Sequence, residues 1–151
     1  MVTNTQVIFS KVPTGYPAAG EHMTINKSTI DLDAKLSKGE FIMKQLSLSV
    51  DPYMRGRMRD ASTKSYVPAF ELGKPMTGGT MSIVIKSNNP HFKVGDIVDG
   101  GVGAGVFEEY TLVTPESAKH LKIRNDPKEN GLPLDYYLGV LGMPGMTAYV
   151  G

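Results

Sequence analysis

The sequence predicts a mainly β fold, a strand-rich barrel followed by short helical structure. Three observations carry this expectation. Seventeen glycines and ten prolines punctuate 151 residues at short intervals, which favours many short strands over long helices. The stretch "EFIMKQLSLSV" (40–50) alternates Leu46, Leu48 and Val50 with Gln45, Ser47 and Ser49, the period of a strand with one buried and one wet face. Helical spacing is confined to the end, in "PLDYYLGVL" (133–141), where Leu134, Tyr137, Leu138 and Leu141 would share a face.

Taken in order, "TQVIFSKV" (5–12) predicts a first strand and "MTINKSTIDL" (23–32) a second. The alternating 40–50 segment is the third, with its leucines expected to face the core. "GGTMSIVIKSN" (78–88), "DIVDGGV" (96–102) and "GVFEEYTLV" (105–113) complete the set. Between them "NNPHFKVGD" carries a proline and a Gly-Asp pair, the chemistry of tight turns. At the end, "GMPGMTAYVG" (142–151) places Pro144 and Gly145 before small and apolar residues, so a helix is expected to open at Met146.

The totals exclude several classes of function. Apolar residues make up 40% and charged ones 21%, a globular profile. A formal charge of +1 gives no electrostatic case for nucleic acid or an anionic membrane as partner. No apolar run approaches the roughly 18 residues of a membrane span. "MVTNTQVIFSK" lacks the basic and apolar regions of a signal peptide, so a cytoplasmic location is expected. The absence of cysteine excludes a disulfide framework, a thiolate zinc site and a cysteine nucleophile together.

Nothing in the chain reads as a self-contained catalytic centre. His22, His91 and His120 lie far apart, none with a second ligand at metal spacing, so no metal site is expected. No G-x-S-x-G elbow exists. The Gly-rich "DGGVGAGVFEEY" (99–110) has Gly101 and Gly103 at dinucleotide-loop spacing, but Val106 occupies the third position and a strand with Glu108 and Glu109 follows. It reads as a turn, and adjacent Glu108 and Glu109 would point to opposite strand faces, unable to act as a pair.

"VDPYMRGRMRD" (50–60) supports two readings. Asp51-Pro52 breaks the preceding strand, and Tyr53 and Met54 then stand just past a strand end, where loops usually carry function. The structural reading is a solvated basic loop, Arg55, Arg57 and Arg59 in water and Tyr53 packed as core.

"LSVDPYMRGRM", "FKVGDIV", "EEYTLV" and above all "LGVLGMPGMTAYVG" resemble the medium-chain dehydrogenase/reductase superfamily, nearest its zinc-free branch of prostaglandin, alkenal double-bond and curcumin-type reductases. The likeness runs over nearly the whole chain. It implies a GroES-like partial barrel with short helices near the C-terminus, serving as a substrate domain over residues 1–141. Residues 142–151 would then begin the cofactor-binding Rossmann domain, with the rest of that domain, and of the helix opened at Met146, expected beyond Gly151. The activity implied is NADPH-dependent reduction of the carbon–carbon double bond of an α,β-unsaturated aldehyde or ketone, without zinc. A small-molecule enal or enone is the implied partner, and a homodimeric parent is compatible with the branch. The chain alone is expected to be inactive.

Residue by residue, Tyr53 matches the branch's tyrosine after Asp-Pro that lines the substrate pocket. Its phenol would donate toward the carbonyl oxygen where charge develops. Met143 and Thr147 match positions that approach the nicotinamide end of the cofactor. In the long loop "RDASTKSYVPAFELGKP" (59–75), Tyr66 is a second substrate-contacting candidate; with Phe70 it either lines the cleft or packs the loop down. Gly79 stands where several plant members carry a second pocket tyrosine, which should open the pocket, and Phe107 stands where tryptophan is frequent. Two alternative functions remain: a non-catalytic GroES-like binding module, and a quinone reductase of the same superfamily.

Overall fold

The computed structural model describes residues 1–151. Strands β1 (Val2–Phe9) and β2 (Met23–Ile30) form an antiparallel hairpin whose register runs from Val2 opposite Ile30 to Phe9 opposite Met23. β1 therefore starts three residues earlier than the 5–12 segment predicted, because pairing along β2 extends the ladder to Val2. β3 (Phe41–Leu48) leads to a short helix, α1 (Tyr53–Arg57). After a long loop come β4 (Thr77–Gly78), β5 (Thr80–Ser87), β6 (Ile97–Asp99), β7 (Gly105–Val106) and β8 (Tyr110–Val113). The chain ends in α2 (Pro115–Ala118), β9 (Lys122–Ile123), α3 (Asp126–Asn130), α4 (Asp135–Leu138) and α5 (Met143–Val150).

An antiparallel five-stranded sheet in the order β8-β3-β5-β6-β9 forms the larger wall, and β4 pairs with β7. β1 closes the structure into a partial barrel by reaching both β4 and β7 regions. Val7 N–H donates to Phe107 O (2.9 Å), Met76 N–H donates to Val7 O (2.8 Å), and Phe9 N–H donates to Lys74 O (3.0 Å). Two apolar clusters fill the interior. One gathers Phe41, Met43, Val84, Val98 and Val113 around the stacked rings of Phe41 and Phe92, 4.5 Å apart. The other gathers Phe9, Met54, Met58, Phe70, Met76 and Phe107 beneath α1.

The mainly β architecture agrees with the sequence, with four local corrections. In β3 the leucine face is the open one: Leu46, Leu48 and Val50 are 44%, 42% and 79% exposed. Phe41 and Met43 point inward, and Gln45 and Ser47 continue on that side half-buried. Gln45 is satisfied there by donating to the carbonyls of Ser47 and Met81. Secondly, the expected 105–113 strand divides into β7 and β8, since residues 107–109 leave the sheet to meet β1. Glu108 accepts from the Gln6 amide (2.7 Å) and Glu109 from Thr5 N–H (2.8 Å), so both carboxylates hold the barrel seam.

Thirdly, helices are not confined to the end, because α1 forms directly after Asp51-Pro52. Proline starts a helix as readily as it stops a strand. Finally, of 133–141 only Asp135–Leu138 is helical, as Gly139 ends the turn, and α5 opens at Met143 rather than Met146, with Pro144 in its first turn.

Candidate active site

The end of β3, the start of α1, the turn after β6 and the helices α4 and α5 surround one cleft of about 810 Å³. Ser49, Asp51 and Tyr53 form its polar wall, while Leu138, Leu141, Met143 and Met146 form an apolar one. Local sequence explains the polar wall. The half-buried side of β3 runs on through Ser49 to Asp51, whose carboxylate accepts from Ser49 Oγ (2.8 Å). Pro52 then turns the chain into α1, and Tyr53 is its first residue.

The phenol of Tyr53 is half-buried, and its hydroxyl donates to the Val102 carbonyl at 2.7 Å. Burial pushes its ionisation up from the ordinary tyrosine value, with the positive charge of Arg57 working in the opposite direction. A raised value keeps the hydroxyl protonated, and so able to donate, at neutral pH. Val102 sits at the tip of the 100–104 turn, the Gly-rich stretch read as a turn from the sequence. That turn is held against the barrel by tight backbone packing. A Cβ on Gly100 would lie 2.5 Å from Thr80 Oγ1, and one on Gly105 only 2.0 Å from the same atom. Glycine at both positions is what lets β5 and the turn approach.

The site residues expected from the sequence are distributed as follows. Tyr53 and Met143 line the same cleft. Thr147 lies one helical turn further along α5 and is not among the lining residues. Tyr66 is 87% exposed and borders a different concavity, of about 720 Å³, formed by the 59–72 loop. Phe70 is buried in the second apolar cluster, which packs that loop down. Gly79 lines the cleft, where an added Cβ would meet Leu138, Gly101 O and Ser49 at 3.5–3.6 Å, ordinary contact distances. No three His, Asp or Glu side chains converge at metal-binding separations.

Sequence reasoning missed Arg57. The solvated basic loop expected over 50–60 is instead tied into the fold. Arg55 donates to Gly15 O and Arg59 to the carbonyls of Gly56, Thr63 and Val67. Arg57 is 7% exposed, lies 4.1 Å over the Phe70 ring, and donates to Pro68 O and to both oxygens of Thr77. The available signal was the helix start: with α1 opening after Asp51-Pro52, Arg57 falls four residues after Tyr53, on its face.

Over residues 5–121 the chain matches the family described as the N-terminal domain of oxidoreductase, and it belongs to that family. The likeness to relatives extends beyond this segment. The NADP-dependent 2-alkenal reductase of Nicotiana tabacum is 43% identical over 99% of this chain and 41% of its own length. The NADPH-dependent curcumin reductase of Escherichia coli (strain K12) is 34% identical over 98% of this chain and 39% of its own. The crystal structure of CurA from Vibrio vulnificus in complex with NADPH superimposes with a TM-score of 0.71 at 35% identity, covering 96% of this chain and 39% of that one. The resemblance to the alkenal and curcumin reductase branch of the medium-chain superfamily is thereby borne out. The chain spans about two-fifths of the length of these relatives.

Proposed function

We propose that this chain is the substrate-binding part of an NADPH-dependent oxidoreductase that adds hydride and a proton across the double bond of an α,β-unsaturated aldehyde or ketone, without zinc. Residues 142–151 begin the cofactor-binding part, and Met143 and Thr147 stand toward the nicotinamide. The observation that carries the reading is the cleft itself, which brings a protonated phenol, Tyr53, and the apolar start of α5 into one lining. Relatives named as NADP-dependent reductases, and a similar structure solved with NADPH, support the cofactor.

The residues present fit that group. Leu138, Leu141, Met143 and Met146 offer an apolar surface suited to a flat nicotinamide ring, and no carboxylate comes from this wall. NADPH, when bound, supplies the hydride that reaches the β-carbon. The chain's own task is orientation and charge stabilisation. As negative charge gathers on the carbonyl oxygen, the Tyr53 hydroxyl turns from Val102 O to that oxygen and donates to it. The half-buried setting of the phenol strengthens this bond relative to one in water. Gly79 leaves the wall beside Tyr53 open, which admits acceptors with bulk next to the carbonyl.

The test is an assay of the longest protein encoded by the reading frame that contains this chain, with NADPH and a simple enone. Consumption of NADPH with formation of the saturated ketone is expected. Oxidation of NADPH by quinones alone would move the protein to the quinone-reductase reading, and no oxidation at all would favour a non-catalytic binding module.

A further inference from the structure

We propose that Arg57 is a positioning residue for the Tyr53 phenol, a buried fixed positive charge set behind the hydroxyl that meets the substrate oxygen. The proposal rests on the reductase reading for its meaning, though not for its test. Its basis is an imbalance in the structure. The Arg57 guanidinium is 7% exposed, yet it takes part in none of the protein's ion pairs. All its acceptors are neutral: Pro68 O (3.0 Å), Thr77 O (2.8 Å) and Thr77 Oγ1 (2.9 Å), with the Phe70 ring covering one face. Buried charges are ordinarily paired with an opposite charge. Holding the 59–72 loop needs hydrogen bonds, which a neutral amide could also make, but it does not need a cation.

Tyr53 and Arg57 are four residues apart in α1 and so lie on one helical face. Thr77, which holds the guanidinium, precedes Gly78, and a Cβ placed on Gly78 would lie 3.5 Å from Tyr53 Oη. The positive charge of Arg57 favours the ionised phenol, against the effect of burial. The other charged groups near the phenol are Asp51, which opposes ionisation, Arg59 next to Arg57, and, lining the same cleft, Lys122, Asp126 and the pair Asp99 and Arg124, 3.5 Å apart. When a substrate oxygen becomes negative, the hydroxyl proton is drawn toward it and the phenol oxygen gains negative character. Arg57 is the uncompensated charge that stabilises this polarisation.

The experiment places 3,5-difluorotyrosine, whose phenol titrates near neutrality, at position 53 of this chain and follows its fluorine resonance with pH. With Arg57→Gln the midpoint should rise by about one pH unit or more, and with Arg57→Lys it should return most of the way. A midpoint unchanged in a folded Arg57→Gln chain overturns the proposal. Should that variant not fold, the unaltered background decides: the Arg57 Cζ resonance must move with the fluorotyrosine midpoint, and its standing still is equally fatal. In the longer reductase, Arg57→Gln should lower kcat while leaving the KM for NADPH within about twofold, with partial recovery in Arg57→Lys. If the fluorine midpoint shifts as expected but no enone is reduced by the unaltered protein, the reductase reading fails alone and the charge coupling stands.

Discussion

The Tyr53 hydroxyl and the Val102 carbonyl are joined by a 2.7 Å hydrogen bond, so the donor that the proposed reductase would turn to a substrate oxygen already has an acceptor. A phenol has one hydrogen to give. In the proposed reductase a substrate carbonyl would have to displace Val102 O, and the gain in the transition state would be the difference between the two acceptors. If the proposed reductase reading holds, Tyr53→Phe should lower kcat with NADPH affinity nearly unchanged. Removing one donor from a well-organised oxyanion site costs about 2.7–4 kcal/mol, and the exchange with Val102 should place the loss at or below that range. Steady-state rates and a fluorescence titration with NADPH on the same variant measure both halves. An unchanged kcat would leave Tyr53 as a packing residue that pins the 100–104 turn.

The same turn makes a prediction about stability. Gly105 lies so close to β5 that a Cβ would stand 2.0 Å from Thr80 Oγ1 and 2.5 Å from Gly78 O. Gly105→Ala should destabilise by about 2–3 kcal/mol or more, since the chain must shift. Adding Thr80→Ala should recover only part of this, because the Gly78 carbonyl is backbone and remains. Urea midpoints of the single and double variants give the comparison, and full recovery would show that the Gly78 contact yields easily.

Thr80 itself is fully buried and its hydroxyl has no hydrogen-bond partner. An unmatched buried hydroxyl carries its desolvation cost without return. Thr80→Val, which keeps the shape and removes the polar atom, should be stabilising by up to about 1 kcal/mol. A loss of that size in a urea titration would instead reveal a partner, such as an ordered water.

How far these features could be read in the sequence differs by kind. The strands were legible because alternation and glycine–proline punctuation are local signals. Alternation in β3 correctly divided Leu46 and Leu48 from Gln45 and Ser47, but it carries no information about which face the rest of the molecule covers. The polar face turned inward because Gln45 found backbone acceptors and Ser49 and Asp51 continue it into the cleft. Tyr53 could be picked out by its place after Asp-Pro and by family resemblance. Arg57 could not, since a basic residue among others reads as solvated until α1 and the Phe70 ring are assembled around it. The Tyr53–Val102 bond spans 49 residues and joins a side chain to a backbone oxygen, for which residue identity leaves no trace.

Acid should weaken the fold partly through Asp96, at the turn into β6. Burial opposes its charge, but Lys93 N–H (2.7 Å), the Asn125 amide (3.0 Å) and the charges of Lys128 and Lys93 outweigh it and hold the carboxyl below its usual range. The folded-state value is thus depressed relative to the unfolded one, ordinarily about 3.9. Its stabilisation is complete well above that value and is lost as pH falls through the folded value. Asp96→Asn should lower stability near neutrality and flatten the decline below about pH 4. Urea midpoints across that range, wild type against variant, test the sign, and parallel curves would assign the acid limb to other groups.

The last expectation concerns α5. It runs over Met143–Val150 with none of its residues buried, and Met146, Tyr149 and Val150 are 64%, 93% and 78% exposed. Tertiary packing normally supplies most of a helix's stability, and isolated helices below roughly 12–15 residues are marginal even in favourable sequences. Its start is anchored, with Met143 on the cleft wall and Gly145 N–H donating to Gly139 O (3.1 Å), but nothing in the chain covers its far end. In a dilute monomer the amides of Ala148–Gly151 should therefore exchange at nearly unprotected rates, while those of β3 and β5 are slowed many-fold. Protection that grows with protein concentration would mean that a second copy covers Met146 and Tyr149. Strong protection of Ala148–Gly151 in a demonstrated monomer would show that α5 is a finished part of this domain, and residues 142–151 would then no longer be assigned to a cofactor-binding unit.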